Sequence, residues 1–385
     1  MGSVDSESVE FLYNPNEFYS TLLPLFESAR DRVYISTLYM GTSQLEHQLL
    51  NRLRDKPNVN FLIDGLRGNR KDSNNQSSVD LIRNICPNVT IDEFITPRFR
   101  GLYPHLPQRI NEIVGTQHMK LIVVDDTCVI TGANLSDIYF TNRQDRYLIF
   151  RNEKSLADKL VQVIRNRGEL PPKTNIDTSC DENRVRISMS TQRGFNNPTL
   201  GESDTVTLEL LQDAAKSENS IVTLASPYLN LSPDILECLL KLPRVNIVTN
   251  SSETNAFFGS RGPSKYIPEA YAIVEDDLLK SLDPSRISVF EYTRPGWSFH
   301  PKGIWVSRDS TLGDCIVGSS NFGYRSKFRD LEISVRMQNG SEKFHNQLSN
   351  ELNGIMKFSK KVSLDRPKRP MWLKMLTRGP LRTFL

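Results

Sequence analysis

Several features that mark particular classes of protein are missing from this sequence. Its five cysteines are scattered, odd in number and without a CxxC pair, so we expect neither a disulfide framework nor a zinc site, and a reducing compartment fits best. It has no apolar run of about eighteen residues, so we expect no membrane-spanning segment. The formal net charge of +3 gives no global basic field, which argues against a nucleic-acid partner.

What remains is typical of a folded protein that is long enough for two domains. Apolar residues make up 38% and charged residues 24% of its 385 residues, a balance that disordered chains do not have. The first six residues resemble neither a signal peptide nor an Arg-rich presequence. We therefore expect that a targeting segment was either removed or never present.

The most informative stretch begins at Gly115. His118 and Lys120 lead into the apolar run Leu121–Val124, and a turn of small residues then ends at Asn134. Since residues i and i+2 of a strand point to the same side, we expect the imidazole and the ammonium group to face one site.

The chain contains this motif twice. His300 and Lys302 lead into a second apolar run, whose small-residue turn ends at Asn321. The preceding segments repeat in the same order: Val33–Tyr39, Leu45–Leu53 and Val59–Ile63 correspond to Ser220–Ser226, Pro233–Lys241 and Val245–Thr249. Strands alternating with helices predict the α/β class, and a period of roughly 185 residues indicates a duplication. We predict halves at 1–172 and 173–362, with a seam near Gly168–Asp181 and a basic amphipathic tail at 363–385.

Two facing copies would bring two imidazoles and two ammonium groups into one small volume, which suits a phosphate diester. An imidazole can attack phosphorus or transfer a proton, and a nearby Lys or Asn amide can stabilise the phosphoryl oxygens. Each Asn is followed eleven positions later by an acid, Asp145 or Glu332. We expect these carboxylates to orient the histidines and to favour their charged form.

The doublet resembles the HxK(x)4D(x)6GSxN signature of the phospholipase D superfamily over nearly the whole chain. Within it, the blocks around Gly115–Lys120, Thr131–Ser136 and Gly318–Ser326 are similar to the eukaryotic mitochondrial phosphatidylglycerophosphate synthases. The resemblance implies a duplicated α/β sandwich whose two pseudo-symmetric halves share one active site. There are two departures. The spacing to the small-residue turn is one residue short in copy one and several residues long in copy two, and Ser307 occupies the signature Asp position in copy two, where copy one has Asp125. That Asp is generally structural in the superfamily.

The resemblance implies transfer of a phosphatidyl group from CDP-diacylglycerol to glycerol 3-phosphate, with CMP released and a phosphatidyl-histidine intermediate. It makes His118 the nucleophile and His300 the acid and base, although near-symmetry leaves the reverse open. No cofactor is required by this chemistry, and dependence on a divalent cation is left open. Phospholipase or nuclease hydrolysis, or another phosphatidyl transfer such as cardiolipin synthesis, is the alternative. A lipid-binding scaffold without activity is disfavoured by the intact motifs.

An anionic acceptor needs further positive charge near the site. The candidates for binding substrate are two tyrosines that end equivalent strands and the arginines near each Asn: Tyr39, Tyr228, Arg143, Arg146, Arg325 and Arg329. For the arginines, salt bridges to Asp145, Asp330 or Glu332 are the alternative.

Two segments have the basic and aromatic composition of an interfacial anchor on an anionic membrane. They are the loop Pro97–Pro107 and the tail Arg366–Leu385. The polar loop Phe257–Lys265 is a weak candidate for holding the cytidine end. The resemblance places the protein peripherally on the matrix side of the mitochondrial inner membrane.

Overall fold

The computed structural model describes residues 2–101, 114–171, 183–197, 199–260, 262–362, 369–379 and 382. The predicted seam falls largely on residues 172–182, and most of the predicted lipid-contact loop falls on residues 102–113, so both lie mainly outside the described residues. None of the described helices is long and apolar enough to cross a bilayer.

One sheet is built almost entirely by the first half. Its strands are β2 (Val9–Leu12), β3 (Val33–Thr37), β4 (Val59–Asp64), β5 (Thr90–Phe94), β6 (Leu121–Val124), β7 (Thr127–Thr131) and β9 (Tyr147–Phe150). They are ordered β2-β9-β7-β6-β3-β4-β5. Strands β3, β4 and β5 are parallel, whereas β3 to β6, β6 to β7 and β7 to β9 are antiparallel.

A second sheet repeats this plan. Its strands are β1 (Gly2–Asp5), β10 (Arg184–Arg193), β11 (Ile221–Ala225), β12 (Arg244–Asn250), β13 (Ile287–Tyr292), β15 (Gly303–Arg308), β16 (Thr311–Gly318), β17 (Leu331–Asn339) and β18 (Ser359–Lys361). The inner order β17-β16-β15-β11-β12-β13 matches β9-β7-β6-β3-β4-β5, with the same parallel and antiparallel pairs. This repetition is what the predicted duplication requires.

Short strands pair across the two halves. Strand β1 belongs to the first half by sequence, yet it pairs with β10 in the second sheet. Two short parallel strands, β8 (Arg143–Gln144) and β14 (Ser298–Phe299), join one half to the other. Among the strands of the described residues, β1 is the one that precedes the predicted boundary at residue 172 but belongs to the second sheet.

Helices cover the outer faces of both sheets and help to fill the space between them. They are α1 (Pro15–Glu27), α2 (Gln44–Leu53), α3 (Ser78–Ile85), α4 (Asp137–Thr141), α5 (Lys154–Arg165), α6 (Thr205–Ala214), α7 (Pro233–Leu240), α8 (Ile267–Ser281), α9 (Tyr324–Phe328), α10 (Glu342–Met356) and α11 (Met371–Arg378). One apolar core lies between the sheets with α5 and α10. Another packs under α1 to α3, and a third under α6 to α8.

Strand β6 shows why both faces of these sheets are apolar. Leu121 and Val123 point into the central core, while Ile122 and Val124 point into the outer core. Alternate residues of a strand face opposite sides, so a strand buried on both sides needs a continuous apolar run.

The signature acid of copy one is structural. Asp125 lies at the turn between β6 and β7 with φ of 51°, and its carboxylate accepts the backbone N–H groups of Arg30, Asp31 and Arg32. In copy two, Asp309 occupies the corresponding turn, with φ of 48°, and accepts from the amide of Asn219. The longer hairpin and a bulge at Val306/Ser307 displace the acid by two positions, so Asp309, not Ser307, is the counterpart of Asp125.

Candidate active site

The segments that carry the two histidines cross from one half to the other. Gln117 forms an isolated parallel bridge with Leu331, and the N–H of His118 donates to the Leu331 carbonyl. The symmetric arrangement joins Phe299 to Gln144, since β14 pairs with β8 and the N–H of His300 donates to the Gln144 carbonyl. Each histidine is thereby placed beside the residue that follows the bridge in the opposite half.

That following residue is the predicted acid in both cases. Nδ1 of His118 lies 2.9 Å from Oε2 of Glu332, which is fully buried. The hydroxyls of Ser319 and Ser326 donate to the same carboxylate. Because Glu332 accepts all three hydrogen bonds, Nδ1 of His118 carries the proton and Nε2 presents its lone pair.

His300 is held in the same way by Asp145, with Nδ1 2.6 Å from Oδ2. The Asp145 carboxylate also accepts the N–H of Arg146. Gly132, in the small-residue turn of copy one, permits this approach, because a Cβ there would lie 2.5 Å from Oδ1 of Asp145. The glycine of the motif is thus explained by the position of the acid.

The other ring nitrogen distinguishes the two histidines. Nε2 of His300 lies 3.2 Å from the hydroxyl of Tyr139, which also accepts from the Asn134 amide at 3.2 Å. Nε2 of His118 has no hydrogen-bond partner among the described residues. The side chain of His118 is 13% exposed, against 6% for His300. His118 is therefore the more accessible of the two imidazoles.

Both lysines are buried beside their histidines. Lys120 and Lys302 each donate to the carbonyl oxygen of the histidine two residues before. Burial lowers the pKa of Lys120 to about 7 and that of Lys302 to about 8. The positive charge of Lys302 contributes to the lowering for Lys120, so the ammonium groups of the two halves act on one volume.

In the ligand-free site other effects oppose the charged form of the histidines that the acids were expected to favour. Burial lowers the pKa of both histidines well below the ordinary value, and Lys120 and Lys302 lower it further. Burial also raises the pKa of Glu332 to about 7 and that of Asp145 to about 6. The desolvation of these groups and the two ammonium charges outweigh each acid, so the imidazoles are neutral until an anion enters.

The two Asn side chains lie in the site but differ in their contacts. Oδ1 of Asn134 is buried without a partner among the described residues, while its amide nitrogen is bound to Tyr139. The side chain of Asn321 forms no hydrogen bond with a described residue, and its backbone N–H donates to Ser326. Of the two, Asn321 has the amide hydrogens that are free to reach a phosphoryl oxygen.

Two of the predicted substrate-binding residues, Tyr228 and Arg143, lie beside His300, and a third, Tyr39, lies close enough to affect the pKa of Arg143. The ring of Tyr228 packs edge-on against the imidazole, with centroids 6.2 Å apart. The guanidinium of Arg143 lies 4.6 Å from the Tyr139 ring centroid, and its positive charge lowers the pKa of His300. Tyr39 lies 3.5 Å from Ser136 through its hydroxyl and is covered by Arg67.

The other arginines have structural contacts. Arg325 is ion-paired with Asp330, although its charge still lowers the pKa of His118. The contact of Arg329 is made by its backbone, because its carbonyl oxygen lies so close to Gly115 that a Cβ atom there would clash with it. Arg146 is wrong as a phosphate ligand, because it is fully buried between Glu351 and the ring of Trp305.

The chain is similar in sequence to several known enzymes. No protein-family model matches the chain. The mitochondrial CDP-diacylglycerol–glycerol-3-phosphate 3-phosphatidyltransferase of Gallus gallus is 28% identical, and the match covers 97% of this chain and 83% of the relative. The mitochondrial enzyme of the same name from Homo sapiens is 28% identical, with 97% and 82% covered. A probable one from Dictyostelium discoideum is 29% identical, with 94% and 74% covered.

This chain is a homologue of these phosphatidyltransferases. The crystal structure of phosphatidylserine synthase from Haemophilus influenzae has the same fold, with a TM-score of 0.78, 18% identity and coverage of 98% of this chain and 93% of that one. Polyphosphate kinase from Porphyromonas gingivalis is similar in fold over 85% of this chain and 44% of its own, with a TM-score of 0.51 and 8% identity. The duplicated phospholipase D-like fold expected from the sequence is confirmed.

Sequence reasoning missed residues that hold the site in place. Tyr139 was not singled out, although it lies five positions after Asn134 just as Ser326 lies five after Asn321, and both contact the site. The side-chain amide of Gln117 is fully buried and donates to Ser36 at 2.7 Å. Of these two residues, only Tyr139 could have been found from the sequence, because it follows Asn134 at the same spacing as Ser326 follows Asn321.

Proposed function

We propose that this protein is a CDP-diacylglycerol–glycerol-3-phosphate 3-phosphatidyltransferase, which makes phosphatidylglycerophosphate and releases CMP. The observation that carries the proposal is the pair of histidines, each oriented by the acid of the opposite half, in a homologue of enzymes with that name. Such a pair suits two successive displacements at one phosphorus, because each imidazole can keep a single role.

In the first displacement, Nε2 of His118 attacks the phosphorus that carries diacylglycerol. A P–N bond forms, the P–O bond to CMP breaks, and His300 supplies the proton that CMP takes up. His300 is neutral in the ligand-free site, but the diphosphate of the substrate brings negative charge against it and against Lys302. Anion binding therefore raises the pKa of His300 and charges it for this step.

In the second displacement, the 1-hydroxyl of glycerol 3-phosphate attacks the same phosphorus. His300, now without its extra proton, accepts the hydroxyl proton, while the P–N bond to His118 breaks. Phosphatidylglycerophosphate leaves and both histidines return to their starting states. Glu332 and Asp145 keep Nδ1 protonated throughout, so that Nε2 does the chemistry at each ring.

Positive charge for these steps comes from the chain itself. Lys120 and Lys302 act on the same volume as the two histidines and are proposed to stabilise the charge on the phosphoryl oxygens, and Arg143 adds a third cation beside His300. Arg325 and Arg329 are proposed to receive the phosphate of the acceptor. Since nucleophile, acid and charge are supplied by side chains, we propose that no metal cofactor is required. Comparing turnover in EDTA with turnover in magnesium would test whether a divalent cation assists.

The relatives from Gallus gallus and Homo sapiens are named mitochondrial. We propose the matrix side of the inner membrane as the location, with the protein bound peripherally to an anionic lipid surface. The substrate supports this, because CDP-diacylglycerol resides in a bilayer.

The deciding experiment is to incubate the protein with CDP-diacylglycerol, with and without glycerol 3-phosphate, and to identify the lipids by mass spectrometry. Phosphatidylglycerophosphate formed only with the acceptor is the expected result. Phosphatidic acid in both reactions would mean hydrolysis instead. Repeating the reaction with serine or phosphatidylglycerol as the acceptor tests the other transfers. The His118→Ala variant is the inactive control.

A further inference from the structure

The C-terminal helix α11 shows an apolar surface to solvent. Met371, Trp372, Met375 and Leu376 are among the most exposed large apolar side chains of the described residues, with Met375 70% and Trp372 48% exposed. Leu373 and Thr377, on the opposite side of the helix, are buried. An outward-facing apolar side is the reverse of what a helix packed on a soluble domain normally has.

Ion pairs fix the helix in this orientation. Arg369, just before α11, pairs with Glu269 and Asp276 of α8. At the other end Arg378 forms a two-bond pair with Asp277, with distances of 2.6 and 2.7 Å. Because these contacts hold α11 against α8 at both ends, its apolar side is presented outward by the fold.

Aromatic rings pack at the start of α8 and again further along this helix. Trp372 packs edge-on against the half-exposed Tyr266, at the start of α8, with centroids 5.2 Å apart. Further along α8, Tyr271 packs 5.0 Å from Tyr228, whose ring contacts His300. Phe257, next to the exposed Phe258, also contacts Tyr228. Helix α8 thus borders the apolar surface at its start and contacts Tyr228, beside His300, further along.

The charge around the surface is positive. Lys265 is exposed beside the ring of Tyr266, and Lys374 lies on α11 itself. Neither forms a salt bridge with a described residue, whereas Glu269, Asp276 and Asp277 are neutralised by the two arginines. Apolar and aromatic side chains with flanking lysines match the interface of an anionic bilayer. The four α11 side chains expose on the order of 400 Å², less than the roughly 800 Å² per partner of a standard protein interface.

We propose that the α11 surface, formed by Met371, Trp372, Met375, Leu376 and Tyr266, docks on an anionic lipid bilayer. There it gives the active site access to the diacylglycerol substrate, a delivery step for which α8 links this surface to Tyr228 beside His300. The delivery step rests on the proposed function, but the docking does not.

The test compares a double variant, Met375→Ser with Trp372→Ser, with the control Leu200→Ser, since Leu200 is 73% exposed on a loop outside this surface. Binding is measured by flotation with phosphatidylcholine vesicles that contain about one-third phosphatidylglycerol and no CDP-diacylglycerol. The partition coefficient should fall about tenfold for Met375→Ser combined with Trp372→Ser, and stay unchanged for Leu200→Ser. Wild-type Trp372 fluorescence should shift to the blue on vesicles, and Trp372→Phe should abolish the shift.

Turnover is then measured with a short-chain CDP-diacylglycerol below its critical micelle concentration. The double variant should keep wild-type turnover on this monomeric substrate and lose turnover on vesicles. Unchanged flotation of the double variant would overturn the docking. If sedimentation also showed that this variant had lost self-association, the surface would be an interface between copies of this chain instead. Equal losses on monomeric and vesicle substrate would overturn the delivery step. A wild-type protein that binds vesicles but makes no phosphatidylglycerophosphate would instead refute the proposed function and leave the docking intact.

Discussion

Glu332 of the second half lies 2.9 Å from the ring of His118 in the first half, 214 residues away in sequence. Asp145 and His300 form the reciprocal pair. Neither half contains a complete histidine-acid pair, so the duplicated motif works only when the halves fold together. The active site is therefore a product of their contact.

Replacing Glu332 by Gln should reduce kcat about a hundredfold to ten-thousandfold, because an amide can donate to Nδ1 and shift the proton of His118 to Nε2. Steady-state turnover with CDP-diacylglycerol checks this. Asp125→Asn is the control, since that acid also follows a motif histidine but its carboxylate bonds only to the backbone at a turn. It should lower the melting temperature and leave kcat unchanged. Similar kcat losses in both variants would contradict the orienting role.

Tyr139→Phe should move the pH profile. The Asn134 amide donates to the Tyr139 oxygen, which leaves the hydroxyl hydrogen for Nε2 of His300, and such a bond favours the neutral ring. Removing it should raise the pKa of His300, so the limb of kcat/KM that falls as His300 loses its proton should shift to higher pH. Tyr147→Phe, which removes another buried hydroxyl, should lower stability by about 1 kcal/mol and leave the profile in place. An unshifted profile for Tyr139→Phe would mean that Tyr139 only packs.

Much of the fold could be predicted from local patterns, because each buried strand and each helix carries its own periodicity. The crossing of the halves could not, since it depends on single bridges, such as Gln117 to Leu331, between distant segments. The neutral state of the histidines was missed for a related reason. The equal spacing of Asp145 and Glu332 from the motif Asn residues predicts that each acid binds a histidine. It does not show how deeply the histidine is buried, or that lysines from both halves lie in the same site.

Asp309 was missed as the signature acid of copy two because the sequence reasoning counted residues from the histidine. The function of this acid is to stabilise the turn between two strands, so its position follows the turn. Bulges and longer hairpins change the count without moving the turn. The outward apolar side of α11 was beyond sequence reasoning as well. Composition identified a basic and apolar segment, but the ion pairs of Arg369 and Arg378 decide which side faces solvent.

The equivalence of the turn acids gives a stability prediction. Asp125→Ala removes an acceptor from three backbone N–H groups and should lower the free energy of unfolding by about 2–3 kcal/mol. Asp309→Ala removes one hydrogen bond and should lower it by about 1 kcal/mol. Ser307→Asp should change neither stability nor turnover. Urea unfolding followed by circular dichroism measures all three, and a larger loss for Ser307→Asp than for Asp309→Ala would restore Ser307 as the functional position.

The lowered lysine pKa values predict how the empty site binds anions. Burial holds the pKa of Lys120 near 7 and that of Lys302 near 8, so both ammonium groups lose protons as the pH rises through this range. A bound sulfate, whose charge is constant here, favours the protonated lysines and raises their pKa. The complex then holds more protons than the free protein, and affinity must fall as the pH rises.

Sulfate affinity should therefore decrease roughly tenfold to hundredfold between about pH 6.5 and pH 8.5, with proton uptake on binding. Isothermal titration in two buffers of different ionisation enthalpy counts those protons directly. Lys302→Met should bind sulfate more weakly and lose only the component of the pH dependence centred near 8. Affinity that stays level across this range would show that both lysines remain charged in the free site. The source of the positive charge for the phosphoryl oxygens would then be independent of substrate binding.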